Sequence, residues 1–326
     1  MLSIKDNFEE TIHGGKPDRF VKQYEFMDII LESPGWIIPK PGETVLDNWG
    51  VTWTWKEGQI GAFPVHKPEL IAVKDIDNWE NELKVPDVHY SDEEWKAAVD
   101  HAEAIRQDGS KFVATIVAPG IFERTHHLMS MDEALCNYYE EPEAMHAFID
   151  RLTQYELDWA QEVWDHLHPE VIFHHDDWGG QRTTFMSPEM FDEFILPAYK
   201  KIYGKYKELG VKYIVHHCDS YAATLVPEMI DMGVDVWQGC MTTNNVPELI
   251  EKYGEKITFM GDIDSGVVDF PAWTRDIIEE NTREAVDECG KLYFIPCLTQ
   301  GLGFSSFPGV YETTDEVIDE LSKEKF

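Results

Sequence analysis

The sequence predicts an α/β fold: a (β/α)8 TIM barrel preceded by an N-terminal, mostly helical extension. Three observations lead there. The 326 residues suit one barrel with an extension. From about residue 111 onward, continuous apolar runs alternate with amphipathic helical stretches, the pattern of parallel strands buried on both faces. No GxGxxG follows any of these runs, so an open dinucleotide-binding sheet has no support.

The first 110 residues are rich in tryptophan, proline and charge and are read as the extension and early barrel. Within them SDEEWKAAVDHAEAIRQDG reads as a helix, with Ser91 or Asp92 as N-cap and Gly109 as stop. Residues 111–326 carry the main barrel strands. The strand-like runs are KFVATIVAPG, EVIFHHDD, VKYIVHHCDS, GVDVWQGC, KITFMGDID and KLYFIPCLTQ. Between them MSPEMFDEFILPAYKKIYGKYKELG and SYAATLVPEMIDMG read as helices ending at Gly210 and Gly233. No linker or repeat divides the chain, so residues 1–326 are expected to form a single domain.

Composition narrows the partners. Apolar residues make up 43% of the chain, enough for a large core. Lysine and arginine number 27 against 62 acids, a net charge of −35, which offers no basic stripe for nucleic acid or for an anionic membrane surface. The N-terminus lacks the apolar core of a signal peptide, and the five cysteines (136, 218, 240, 289 and 297) form no disulfide-type framework. The expectation is a cytoplasmic protein whose thiols are available for metal.

In a barrel the active site gathers where the strands end. Polar residues sit there in nearly every run: Glu123 and Arg124 after the first, His174 to Asp177 after the second, and His216 to Asp219 after the third. Gln238 and Cys240 follow the fourth, Asp262 and Asp264 the fifth, and Cys297, Thr299 and Gln300 the sixth. Alternation puts His216 and Cys218 on one face and His217 on the other. Cys297 can complete a His/Cys/Cys set, which suits zinc and leaves a fourth position open. His217 is then expected between barrel and helices, and only one of His174 and His175 can face inward. Asp177 is expected to be the site member of the acidic pair, its neighbour serving a helix dipole. Glu123 is expected on the rim as a fourth ligand or general acid, and Asp262 as a residue closing the site.

These residues resemble the uroporphyrinogen decarboxylase superfamily, and within it the zinc- and corrinoid-dependent methyltransferases. GGKPDRF is similar to the G-x-x-P-D-R-x opening, LDNWGVTWTW to an acidic-x-W-G-V-x-W segment, and HHDDWGGQRTTFMSPEMFDEFILPAYKKI to the D-D-x-G…S-P-E-x-F signature. The resemblance implies that His216, Cys218 and Cys297 are the zinc ligands. It also implies a corrinoid (cobalamin) partner protein, since no D-x-H-x-x-G cobalamin signature is present. Zinc would either activate a thiol acceptor of the coenzyme M type or act as a Lewis acid on a methyl ether. The tryptophans near the motifs (49, 53, 55, 178 and 237) favour an aryl methyl ether, because flat apolar walls suit a ring. Arg124 and Arg182 are the cations that a sulfonated thiol could use. A metal-free decarboxylase is the further alternative, weakened by the absence of the arginine-rich N-terminal stretch that binds propionates.

Overall fold

A computed structural model describes residues 1–301 and 303–326. Ten strands are present: β1 (Met27–Ile30), β2 (Thr44–Leu46), β3 (Thr52–Thr54), β4 (Phe63–Pro64), β5 (Phe112–Val117), β6 (Val171–His175), β7 (Tyr213–His217), β8 (Val236–Cys240), β9 (Thr258–Ile263) and β10 (Phe294–Leu298). Seven form one all-parallel sheet in the order β1-β5-β6-β7-β8-β9-β10. Consecutive order with helical crossovers is the winding of a TIM barrel, and the chain has that fold. All six runs read as strands are strands. Among the described residues the sheet has seven strands rather than eight. The segment before β1 bridges its two ends, where Phe20 N–H donates to Ser322 Oγ (3.0 Å) and Tyr24 Oη–H donates to the Gly301 carbonyl.

The barrel interior is a separate apolar layer. Phe112 and Ala114 of β5, Val171 and Phe173 of β6, Tyr213 and Val215 of β7, Val236, Met260, Ile295 and Cys297 pack together inside the sheet. Helix Ile4–Ile12 plugs the end where the strands begin. Its Phe8 stacks on Phe26 at 4.0 Å and meets Phe112 and Tyr213 edge-on. The intervening residues, such as Val113, Ile172, Ile214 and Trp237, face the surrounding helices.

Helix ends follow the expected chemistry. Ser91 and Glu94 form a reciprocal capping box at the start of helix Asp92–Asp108, and Gly109 ends it in the left-handed conformation. Gly210 and Gly233 end helices Leu196–Leu209 and Val226–Met232 the same way. The stretch before Leu196 departs from a regular helix: Phe191–Ile195 is a π-turn. Pro197 follows it and has no N–H to continue the α ladder. The extension is less helical than expected, because β2, β3 and β4 form an antiparallel sheet of three strands. Asp47 makes its turn by accepting the N–H groups of Trp49 (2.9 Å) and Val51 (2.8 Å). No described helix is long and apolar enough to cross a membrane.

Candidate active site and metal centre

Tyr213 and Val215 face the barrel interior, so His217, two residues on, does too; the same step brings His175 inward from Phe173 and Gln238 from Val236. His175 and His217 are partners in the β6–β7 register, and their rings stack at 4.5 Å. Each ring is held through Nδ1, His175 by Glu123 Oε2 at 2.7 Å and His217 by Gln238 Oε1. Both acceptors are oxygens, so each neutral ring carries its proton on Nδ1 and presents the Nε2 lone pair, as imidazole ligands of metals do. His175 Nε2 lies 3.9 Å from Asp177 Oδ2, and Asp177 Oδ1 accepts the Asp219 N–H at 2.9 Å. Ligand atoms of His175, Asp177 and His217 all fall within 4.8 Å of one another. Two imidazoles and a carboxylate make a catalytic type of set, with coordination positions left for substrate or water.

The electrostatics favour positive charge at this point. Burial disfavours a charged His175, but the carboxylates of Glu123 and Asp177 outweigh it and raise its pKa to about 10. Burial pushes Glu123 up to about 7 against the pull of His175, and pushes Asp219 to about 8 with Asp177 adding to the effect. Burial lowers His217 to about 4. A divalent ion bound there would have to displace the proton that the two carboxylates hold on His175.

Glu123 is delivered by Asp176. The Asp176 carboxylate accepts N–H bonds from Phe122 (2.9 Å) and Glu123 (2.8 Å) in the first turn of helix Ile121–Met129. It also accepts from Trp178 Nε1 (2.9 Å) and Tyr199 Oη (2.5 Å). An anion at a helix N-terminus satisfies donors that the helix itself cannot. The fit requires Gly120, where a Cβ would lie 2.2 Å from Tyr199 Oη and 2.5 Å from the Asp176 Cβ. Asp176 thus ties the helix bearing Glu123 to the strand end bearing His175 and Asp177.

The structure does not bring His216, Cys218 and Cys297 together; they are absent from the ligand-grade groups found among the described residues. His216 faces the helices. Its Nδ1 bonds Tyr203 Oη at 2.7 Å, its Nε2 bonds the Asp176 carbonyl at 3.1 Å, and its ring stacks on Trp178 at 4.0 Å. β7 ends at His217, so strand alternation does not reach Cys218. That thiol packs in the outer core beside Ser220 Oγ (2.9 Å) and the Trp178 N–H (3.5 Å). Cys297 is the one of the three in the barrel interior. The expected places of His216 and His217 are thus exchanged. Asp262 also turns away from the site, accepting from Cys289 Sγ at 3.3 Å on helix Arg275–Cys289. His174 lies outside the barrel against Tyr203 (2.9 Å), which leaves His175 as the inward member of its pair.

Above the rim lies a cavity of about 520 Å³ between the barrel mouth and the small sheet. Glu123, His175 and Asp177 form its floor; Trp36, Trp49, Trp53 and Trp55 wall it. Asp47 Oδ2 accepts from Trp53 Nε1 at 2.8 Å and fixes that ring. Trp178 and Trp237, expected as walls, are fully buried packing residues. Arg124 is the only lysine or arginine among the described lining residues. It is already engaged, lying 4.2 Å over the Trp49 ring, donating to the Pro119 carbonyl at 3.0 Å and facing Glu156 at 3.7 Å. Arg182 is exposed and does not line the cavity.

Two expected results follow from these surroundings. Burial pushes Glu156 up to about 7 despite Arg124, from an ordinary 4.5. Between those values the folded chain keeps a proton that the unfolded chain releases, so this group makes stability fall as pH rises through that window. Glu156→Gln removes that slope. Urea titrations at pH 5 and pH 8 should show the variant losing about 2 kcal/mol less than the parent between the two. Gly301 has φ +71°, and a Cβ there would lie 2.4 Å from His217 Cε1 and 2.7 Å from its Nδ1. Gly301→Ala should therefore displace the ring from Gln238, which a shift of the His217 imidazole resonances in a nitrogen-15 spectrum checks.

Sequence reasoning missed His217, His126, His127, Asp47 and Glu156. One signal was available for the first: two His-His pairs end consecutive strands, and pairs in the same register place one imidazole of each side by side.

Comparisons with known proteins agree with this architecture. No curated protein sequence matches the chain. A solved structure described as a methyltransferase from Methanosarcina mazei superposes with a TM-score of 0.69 at 13% identity, covering 98% of this chain and 99% of that one. At that identity the likeness is one of fold. The family model for uroporphyrinogen decarboxylase (URO-D) matches residues 37–298, most of the barrel and the whole of the site floor. The chain belongs to the uroporphyrinogen decarboxylase (URO-D) family.

Proposed function

We propose that this chain is a methyltransferase that moves a methyl group between a small molecule and the cobalt of a corrinoid carried by a separate protein, with an aryl methyl ether as the favoured donor. The observation that carries the reading is the cavity itself: tryptophan walls over a floor that carries His175 and Asp177, with His217 beneath it completing a group of two imidazoles and a carboxylate. The thiolate set expected for zinc does not fit this geometry; His175, Asp177 and His217 do. Bound there, zinc would supply Lewis acidity to the ether oxygen as the methyl group leaves.

The chain's own residues do the rest. Trp53, fixed by Asp47, and Trp55 hold the ring so that its substituent points at the floor. Glu123 keeps a proton on His175 Nδ1 and so aims Nε2 inward, as Gln238 does for His217. Asp177 and Glu123, the two carboxylates expected to be catalytic, thereby act as a ligand and as a positioning group.

The thiol and decarboxylase alternatives both need free cations, for a sulfonate or for the carboxylates of a porphyrinogen. Among the described lining residues Arg124 is the one arginine or lysine, and it is held between Glu156 (3.7 Å) and the Pro119 carbonyl (3.0 Å). The test is to mix zinc-loaded protein with cob(I)alamin and a panel of methoxyarenes, and to follow the methylcobalt absorbance with formation of the free phenol. Methylcobalamin and phenol in equal amounts support the reading. Turnover confined to thiols, or carbon dioxide release without methyl transfer, overturns it.

A further inference from the structure

A second group of ligands adjoins the first. Glu123, His126 and His127 lie on helix Ile121–Met129 at i, i+3 and i+4, so their side chains share one face, and their ligand atoms lie within 4.8 Å of one another. Trp53 packs edge-on against His127 at 5.0 Å, and His126 does so at 4.6 Å, which fixes the His127 ring. The Nδ1 of His127 is buried and has no hydrogen-bond partner. A buried ring nitrogen left unpaired costs about 1–3 kcal/mol, so such atoms normally have a partner, and the protein supplies none here. Glu123 and His127 both line the cavity, so an ion held by them would face the same space as the first.

We propose that Glu123, His126 and His127 form a second divalent-ion site, so that the barrel mouth holds two ions linked through Glu123. The ligand set is again two imidazoles and one carboxylate, which suits zinc, cobalt(II) or iron(II) and leaves positions open for an oxygen of the substrate. Glu123 can serve both sites at once. Its Oε2 accepts the His175 Nδ1 proton at 2.7 Å, while Oε1 has no protein hydrogen-bond partner among the described residues. A carboxylate that orients one ion's ligand and binds the other ion directly couples the two sites.

This inference rests on reading His175, Asp177 and His217 as the first site, and the test separates the two. Metal-free full-length protein is dialysed against zinc, and bound metal is counted by elemental mass spectrometry, with circular dichroism as the folding control. The parent should hold two ions per chain, the His126→Gln/His127→Gln variant one, and His217→Ala one. Glu123→Gln should weaken both sites, by roughly tenfold or more. One ion in the parent, kept by the His126/His127 variant and lost in His217→Ala, overturns this inference and leaves the proposed function standing. One ion lost in the His126/His127 variant and kept in His217→Ala supports the new site and overturns the first one.

Discussion

If His175, Asp177 and His217 hold an ion as proposed, His217→Ala should abolish its binding and lower the kcat/KM of methyl transfer by roughly a thousandfold, equivalent to about 4 kcal/mol of transition-state stabilisation. The ring is almost wholly buried, its Nδ1 is committed to Gln238 and its Nε2 is the free ligand atom. The decisive comparison is with the thiols. Cys218→Ala and Cys297→Ala should keep the parent's metal content, because Cys218 packs in the outer core and Cys297 in the interior apolar layer, and neither belongs to the group of His175, Asp177 and His217. Metal analysis and methyl-transfer rates on the three variants check this. Loss of the ion from Cys218→Ala with retention in His217→Ala would restore the ligand set read from the sequence. Each cysteine variant should still cost stability, since a buried sulfur leaves a small cavity, on the order of 1–2 kcal/mol.

The second large effect lies outside the ligand shell. Asp176→Ala strands four donors: two helix N–H groups, the Trp178 indole and the Tyr199 hydroxyl. Each unsatisfied buried donor costs about 1–3 kcal/mol, and partial relaxation leaves an expected loss of about 4 kcal/mol in urea denaturation. Asp176→Asn should fall between, because an amide keeps an acceptor for the three donors at Oδ2 but opposes the Glu123 N–H at Oδ1. Methyl transfer should fall in both variants, since the helix turn carrying Glu123 is no longer pinned to β6. A loss below 1 kcal/mol for the alanine variant would show that Asp176 is not the tie between rim and helix.

Much of this protein is legible along the chain. Six apolar runs are six strands, and Ser91, Gly109, Gly210 and Gly233 delimit helices where cap chemistry predicts. The rim position of Glu123, His175 and Asp177 follows from the rule that barrel strands end at the active face. The small sheet was not foreseen, because β2 to β4 are two or three residues long and carry little periodicity. Local sequence therefore determined the strands, their order and the convergence of their ends, because each depends on neighbours in the chain.

What only the tertiary structure decided is which face of each strand is the inside. Alternation fixes that His216 and His217 point in opposite directions, and nothing more. β7 is buried at every position, so no polar face marks the solvent side. The choice is made by Phe8, Phe112 and Val171, which pack with Tyr213 and Val215 and so turn His217 inward with them. Those contacts join residues as far apart in the chain as Phe8 and Tyr213, and their sum over the whole ring of strands exceeds any preference of one histidine.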